Sequence, residues 1–232
     1  MIEIAQLSKK YQATVLDIPE LQVPDGQCLG LVGNNGAGKT TLFSLLLDLV
    51  PATTGRIVNH GIPVAQSETW KAHTSSYLDE SFLIDYLTPE EYFRFVGSLH
   101  GMAAAEVDRS VAGFAAFFNG EVLGGRKYIR DLSKGNQKKA GIVVALIGAP
   151  SVIVLDEPFA NLDPSSQLRL KAMLKELAAS KAATVLISSH DLAHVAEVCD
   201  RIIVLEKGKL VRDIRTTPET LRELEAYFSV QV

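Results

Sequence analysis

Gly33-Asn34-Asn35-Gly36-Ala37-Gly38-Lys39-Thr40 follows the spacing Gly-x-x-x-x-Gly-Lys-[Ser/Thr]. Before it lies the apolar run Cys28-Leu29-Gly30-Leu31-Val32, and after it Thr41-Leu42-Phe43-Ser44-Leu45-Leu46-Leu47. That order predicts a strand, a tight loop and a helix, the context in which this spacing binds phosphate. Glycine reaches backbone angles closed to other residues and leaves room for a close approach, so successive amide N–H groups turn toward an anion at the helix N-terminus. Lys39 brings a positive charge to the β and γ phosphates of a nucleotide, and Thr40 offers a hydroxyl to the accompanying Mg²⁺. The bland alternative, a glycine-rich turn ending in a solvated lysine, does not account for the flanking strand and helix.

The chain has 232 residues, enough for a sizeable core and for one or two domains. With 47% apolar and 22% charged residues it has the composition of a globular protein, and a net charge of −4 leaves no basic footprint for direct nucleic-acid binding. The two cysteines, Cys28 and Cys199, form no framework or metal-binding spacing and read as buried, reduced thiols of a cytosolic protein. The first residues, Met1 to Leu7, alternate and lack the basic-then-apolar order of a signal peptide. The longest apolar run, 141–155, is too short for a membrane span and is broken by Pro150, so the expectation is a chain that does not cross a membrane by itself.

Near-alternation at Ile2, Ile4, Leu16, Ile18, Leu21 and Val23 predicts a β-hairpin before the Pro24-Asp25-Gly26 turn, forming an antiparallel flap beside the loop. The helix after the loop is expected to run to Pro51, and short strands come after it at Arg56-Ile57-Val58 and Thr74 to Leu78. The pattern then turns helical. Thr88-Pro89-Glu90-Glu91 is a capping box with proline at the first helical position. Ala103 to Phe118 repeats the helical period, and Asn136 to Ile147 reads as a third helix stopped by Gly148 and Pro150. Residues 84–150 are therefore expected to form an all-helical subdomain inserted in a single domain spanning 1–232. Beyond it, strands at Val152 to Leu155, Ala183 to Ile187, Arg201 to Leu205 and Leu210 to Ile214 alternate with helices at Gln167 to Ala179 and Asp191 to Val198. A last short helix starts at Thr217-Pro218-Glu219-Thr220. Uninterrupted apolar strands alternating with helices imply an α/β fold with a parallel sheet covered on both faces.

Asp156 and Glu157 end the run Val152-Ile153-Val154-Leu155, at the strand end where α/β sheets present ligands. There Asp156 is placed to orient Mg²⁺, leaving Glu157 to polarise the water that attacks the γ phosphate.

With these residues in hand, the chain resembles the nucleotide-binding subunit of ATP-binding cassette (ABC) transporters over essentially its whole length. The resemblance implies a P-loop NTPase with a RecA-like parallel-sheet core, an N-terminal antiparallel β subdomain and an inserted α-helical subdomain. In that family ATP is sandwiched between the phosphate loop of one subunit and a Leu-Ser-Gly-Gly-Gln motif of the other, whose place is taken by Leu132-Ser133-Lys134-Gly135-Asn136. A serine hydroxyl and glycine amides at the start of a helix make an anion site. Ser133 and Gly135 then join Gly33, Asn34, Asn35, Gly36, Ala37, Gly38, Lys39, Thr40 and Thr41 as nucleotide-binding residues. By the same resemblance Tyr11 stacks on adenine, Asp163 in Asn161-Leu162-Asp163 signals across the dimer, and His190 contacts the γ phosphate and helps Glu157 and Lys39 in catalysis. Glu80 corresponds to a glutamine on the Mg²⁺ side, so that Thr40, Glu80 and Asp156 form the metal set. Lys134 and Asn136 stand where the family usually has glycine and glutamine.

The implied activity is hydrolysis of Mg²⁺-ATP by a dimer, read as a homodimer, coupled to transport through separate transmembrane permease subunits. The surface near residues 79–100 would carry that coupling. The implied location is the cytoplasm, peripheral on the inner face of the cell membrane. A soluble non-transport ATPase of the same fold usually carries tandem cassettes or coiled-coil insertions, and a small-molecule P-loop kinase would leave the Leu132–Asn136 motif and His190 without a role.

Overall fold

A computed structural model describes residues 1–229. The chain opens with β1 (Ile2–Lys10) and β2 (Thr14–Val23), an antiparallel pair, and continues into β3 (Cys28–Val32) and α1 (Lys39–Leu46). Next come β4 (Thr54–Asn59), β5 (Ile62–Pro63) and β6 (Thr74–Tyr77), then the helices α2 (Pro89–Leu99), α3 (Ala104–Ala112), α4 (Ala115–Phe118) and α5 (Lys134–Leu146). The last part comprises β7 (Val152–Leu155), α6 (Pro164–Ser180), β8 (Thr184–Ser189), α7 (Leu192–Val198), β9 (Arg201–Glu206), β10 (Lys209–Arg215) and α8 (Thr220–Ser229). Two sheets result: an antiparallel one in the order β2-β1-β4-β5 and a larger one in the order β10-β9-β3-β8-β7-β6. In the larger sheet every neighbouring pair is parallel except the β9–β10 hairpin at its edge.

The larger sheet divides two cores. Cys28, Val32, Ile153 and Leu155 face one, shared with the helices of the central region and with α6 and α7. Leu29, Leu31, Val152 and Val154 face the other, shared with α1 and the antiparallel sheet. Burial on both faces is why these strands read as continuous apolar runs instead of alternating. In β1 the alternation changes phase: Ile2 and Ile4 are buried, then Leu7. A shift in the β1–β4 register between Ala5 and Ser8, with Gln6 at φ 49°, absorbs the extra residue and keeps Leu7 facing inward.

Several helix boundaries differ from the sequence expectation, three of them for reasons visible in the backbone. α1 ends at Leu46 instead of running to Pro51, because Asp48 adopts φ 53° and the amides of Asp48 and Leu49 bond back to the carbonyls of Leu45 and Ser44. This left-handed cap satisfies the last carbonyls before proline is reached. The expected continuous helix from Ala103 to Phe118 is broken at Gly113, where the amides of Gly113 and Phe114 take i–3 carbonyls. Glycine is a poor helix former, and the break lets Phe117 and Phe118 both reach the core. α6 starts at Pro164, three residues before the expected Gln167, because Asp163 accepts from the Ser166 amide as N-cap with proline at the first helical position.

Residues 84–150 contain helices and no strand. The capping box at Thr88 is present, with the Glu91 carboxylate accepting from the Thr88 amide. Phe93, 1% exposed, stacks on Phe118 with ring centroids 5.7 Å apart, tying α2 to α4. Phe93→Ala is expected to destabilise the chain by about 3–5 kcal/mol, read as a lower urea midpoint with an unchanged slope.

Candidate nucleotide site

The sheet order sets β8 between β3 and β7, so the residues at the C-terminal ends of these three parallel strands gather at one end of the sheet. After β3 the chain enters the Gly33–Gly38 loop. A Cβ on Gly33 would lie 2.2 Å from the Leu205 carbonyl oxygen, so the close passage over β9 requires glycine there. Gly38 has φ 107°, an angle that side chains avoid, and its residue position meets the Val15 carbonyl at the start of β2. The Gly208 amide donates to Ala37 O at 2.9 Å, pinning the loop to the β9–β10 turn. Asn34, Asn35 and Gly36 are exposed, as is Thr40.

Lys39 is only 7% exposed. Its Nζ donates to Gly33 O at 2.7 Å and lies 3.8 Å from Glu157 Oε1. A buried ammonium held by main-chain carbonyls and a carboxylate is a cation aimed into the loop it closes. Thr40 Oγ1 donates to Asp156 Oδ2 at 2.6 Å. The other Asp156 oxygen accepts from the Ser188 hydroxyl, and the Asp156 amide donates to Tyr77 O at 2.8 Å. Asp156 is 5% exposed and is thus fixed by α1, β6 and β8 together.

Glu157 sits at φ 46°. Its amide donates to Ser188 Oγ at 3.0 Å, its carbonyl accepts from Lys138 Nζ at 2.9 Å, and its Oε2 lies 2.8 Å from His190 Nδ1. A left-handed glutamate held at amide, carbonyl and carboxylate is the kind of local strain that clusters at functional sites. Tyr77 donates its hydroxyl to Glu80 Oε1 at 2.8 Å, and burial, then Glu80, pushes its phenol well above the usual range.

Lys39, Thr40, Asp156, Glu157 and His190 are therefore one connected cluster, with Glu80 joined to it through Tyr77. Ser133, Gly135, Asp163 and Tyr11 share no described hydrogen bond or ion pair with that cluster. Ser133 caps α5, accepting from the Asn136 amide at 3.3 Å, and is exposed, while a Cβ on Gly135 would lie 3.1 Å from the Asn161 carbonyl. Asp163 is held well below the usual carboxylate range by hydrogen bonds from Ser165 and Ser166, with smaller help from the charge of Lys139. Lys139, itself 2% exposed, bridges Asp163 and Glu121. Tyr11 is 61% exposed, with Lys9 Nζ 4.7 Å from its ring centroid, and shares no described hydrogen bond with the loop.

A family model described as "ABC transporter" matches residues 16–160, from β2 through the Asp156–Glu157 strand end. This chain belongs to the ABC transporter family. It is 34% identical over 214 residues to an uncharacterized ABC transporter ATP-binding protein of Methanocaldococcus jannaschii, covering 90% of this chain and 76% of that one. It is 33% identical over 192 residues to an uncharacterized ABC transporter ATP-binding protein of Synechocystis, covering 82% of this chain and 54% of the relative, so this chain spans about half of that protein. Among solved structures, the ATP-binding subunit of an ABC transporter superposes with a TM-score of 0.87 at 28% identity, covering 99% of both chains. The α/β P-loop fold with its antiparallel N-terminal sheet is thus that of an ABC ATP-binding chain.

The residues present fit a Mg²⁺-nucleotide. Gly36, at φ 79°, leaves open space where a side chain would stand, and Lys39 is desolvated toward the loop. Thr40 and Asp156 supply hard oxygen donors in contact with each other. No group of three or more acidic, histidine or cysteine side chains that could hold a metal ion occurs among the described residues.

Sequence reasoning missed Ser188, Tyr77 and Lys138. Ser188 left no local signal: it is the parallel register of the folded sheet, Val154 with Leu186 and Leu155 with Ile187, that brings the next residues, Asp156 and Ser188, together. Lys138 and Tyr77 left none, since neither has a spacing that points to a ligand.

Proposed function

We propose that this chain hydrolyses Mg²⁺-ATP within a dimer of two copies and drives transport through separate transmembrane permease subunits. The observation that carries this reading is the continuous cluster Lys39–Glu157–His190 beside the Thr40–Asp156 contact, at the ends of three adjacent parallel strands. The loop from Gly33 to Thr41 holds the phosphates, with Lys39 released from the Gly33 carbonyl to the β and γ oxygens. Thr40, Asp156 and Glu80 would hold Mg²⁺, which would supply positive charge against the developing phosphate charge. Glu157 accepts the proton of the attacking water as that water's oxygen bonds to the γ phosphorus and the bond to the ADP oxygen breaks. His190 orients the Glu157 carboxylate, and Tyr11 stacks on adenine.

Ser133 and Gly135 serve the nucleotide bound to the second copy. Their support is the start of α5, where an exposed serine cap and the first helical amides form an anion-type site with no described hydrogen bond to the chain's own loop. Asp163, fixed between Lys139 and the α6 cap, relays one site's state to the other. The permease docks near residues 79–100, where Phe82, Tyr86, Phe95 and Leu99 are exposed. No helix among the described residues is long and apolar enough to cross a membrane, so membrane attachment through that surface, on the cytoplasmic inner face, completes the reading.

The decisive experiment purifies the chain with its membrane partners, identifies them by mass spectrometry and measures ATP hydrolysis by the assembly. Ser133→Arg is expected to leave ATP binding to a single chain within about twofold while abolishing turnover, because the motif acts only across the dimer. Equal loss of single-chain binding would refute the shared-site geometry.

A further inference from the structure

Lys138 lies one turn into α5 and is 5% exposed. Its ammonium donates to the Glu157 carbonyl at 2.9 Å and lies 5.6 Å from the ring centroid of Tyr77, whose hydroxyl is bonded to Glu80. Burial lowers the Lys138 ammonium from the ordinary lysine range, and the charges that push it back up are, in order, Glu80, Glu157, Asp156 and Asp79. Lys138 is thus a buried amine whose contacts are the Glu157 carbonyl and the Tyr77 ring, the latter leading on to Glu80. Lys39, the other cation in the cluster, reaches Glu157 from the loop side and is the group that a bound phosphate would draw away.

We propose that Lys138 is a positioning residue: it holds the Glu157 peptide in its left-handed conformation through the carbonyl, and its charge is paired with Glu80 across the Tyr77 side chain. Tyr77 is the spacer of this pair, its ring beneath the ammonium and its hydroxyl on Glu80. α5 therefore has two positions of different use. Ser133 at its start is the exposed N-cap, whereas Lys138, five residues on, is buried and reaches the chain's own Glu157. Any movement of α5 relative to the sheet reaches the Glu157 carbonyl directly, because the Lys138 bond spans the two. For its effect on turnover the inference rests on the ATPase reading above; the charge pairing does not.

The test is a double-substitution cycle in the full chain with its membrane partners for turnover, and in the isolated full chain for urea unfolding. Lys138→Met is expected to lower kcat by about 10- to 100-fold with KM for ATP within about threefold, the scale typical of residues that orient a ligating group. Lys138→Arg retains most of the parent kcat. Adding Glu80→Gln to Lys138→Met is expected to recover about tenfold of the lost turnover, since the carboxylate left unbalanced is then neutral. The urea midpoint moves in the same direction: lowered by Lys138→Met, and raised again by the second substitution. Additive losses in both measurements, or a Lys138→Met chain that matches the parent, would overturn the pairing. Should Lys138→Met not fold, Lys138→Gln takes its place in the same cycle. A parent assembly without ATP hydrolysis would defeat the ATPase reading, while the urea cycle still decides for or against the charge pair.

Discussion

Glu157→Gln is expected to stop hydrolysis and leave ATP bound. The substitution keeps the size of the side chain and an oxygen to accept from the His190 amide, but removes the carboxylate charge that lies between Lys39 and His190. Loss of a general base costs about 10² to 10⁴ in rate. Ground-state affinity depends instead on Lys39, the loop amides and the Thr40–Asp156 pair, none of which the substitution removes. With a negative charge gone from the neighbourhood of the phosphates, ATP affinity is expected to be equal or higher. In the proposed cycle hydrolysis reopens the closed pair of chains, so the variant is expected to accumulate as an ATP-bound dimer. Single-turnover hydrolysis and mass in solution with Mg²⁺ and ATP check this. Near-normal turnover, or a chain that stays monomeric at every ATP concentration, removes Glu157 from the base role and with it the dimer cycle.

Lys39→Ala acts earlier, on binding. Lys39 is buried against the loop carbonyls, so its ammonium is largely desolvated before the phosphates arrive. Hydrogen bonds to charged groups contribute about 1.5–3 kcal/mol each, which corresponds to roughly 10- to 150-fold in affinity for a single contact. The loss is expected to be greater for ATP than for AMP, which lacks the β and γ phosphates. The variant also leaves Glu157 with one cation fewer. Titration calorimetry with both nucleotides separates these effects: unchanged ATP affinity, or an equal loss for AMP, would detach Lys39 from the phosphate role.

Much of the site was legible because it is local in sequence. A strand, a glycine-rich turn and a helix N-terminus need only about 20 consecutive residues, and glycine positions report backbone angles directly. The same holds for the Thr88 capping box and the carboxylates that end β7. The ends of α1 and α6 were harder to read. They depended on which of several possible caps the backbone used, Asp48 before Pro51 in one case and Asp163 before Gln167 in the other.

By itself the sequence determined the α/β alternation, the phosphate-type loop, and the chemical types available for a nucleotide: Lys39, Thr40, Asp156, Glu157 and His190. The first four are announced by residues within a few positions of them, and His190 by the resemblance to the family. Only the tertiary structure decided which of them touch. Strand order placed β8 between β3 and β7, so Ser188 came to hold both Asp156 and the Glu157 amide across 32 and 31 residues of chain. The packing of α5 against the sheet brought Lys138 to Glu157 and Tyr77 across distances that no periodicity encodes. Hydrophobic pattern specifies which face of an element is buried, but the pairing of charges inside the fold depends on how the buried faces stack, which is a property of the whole chain.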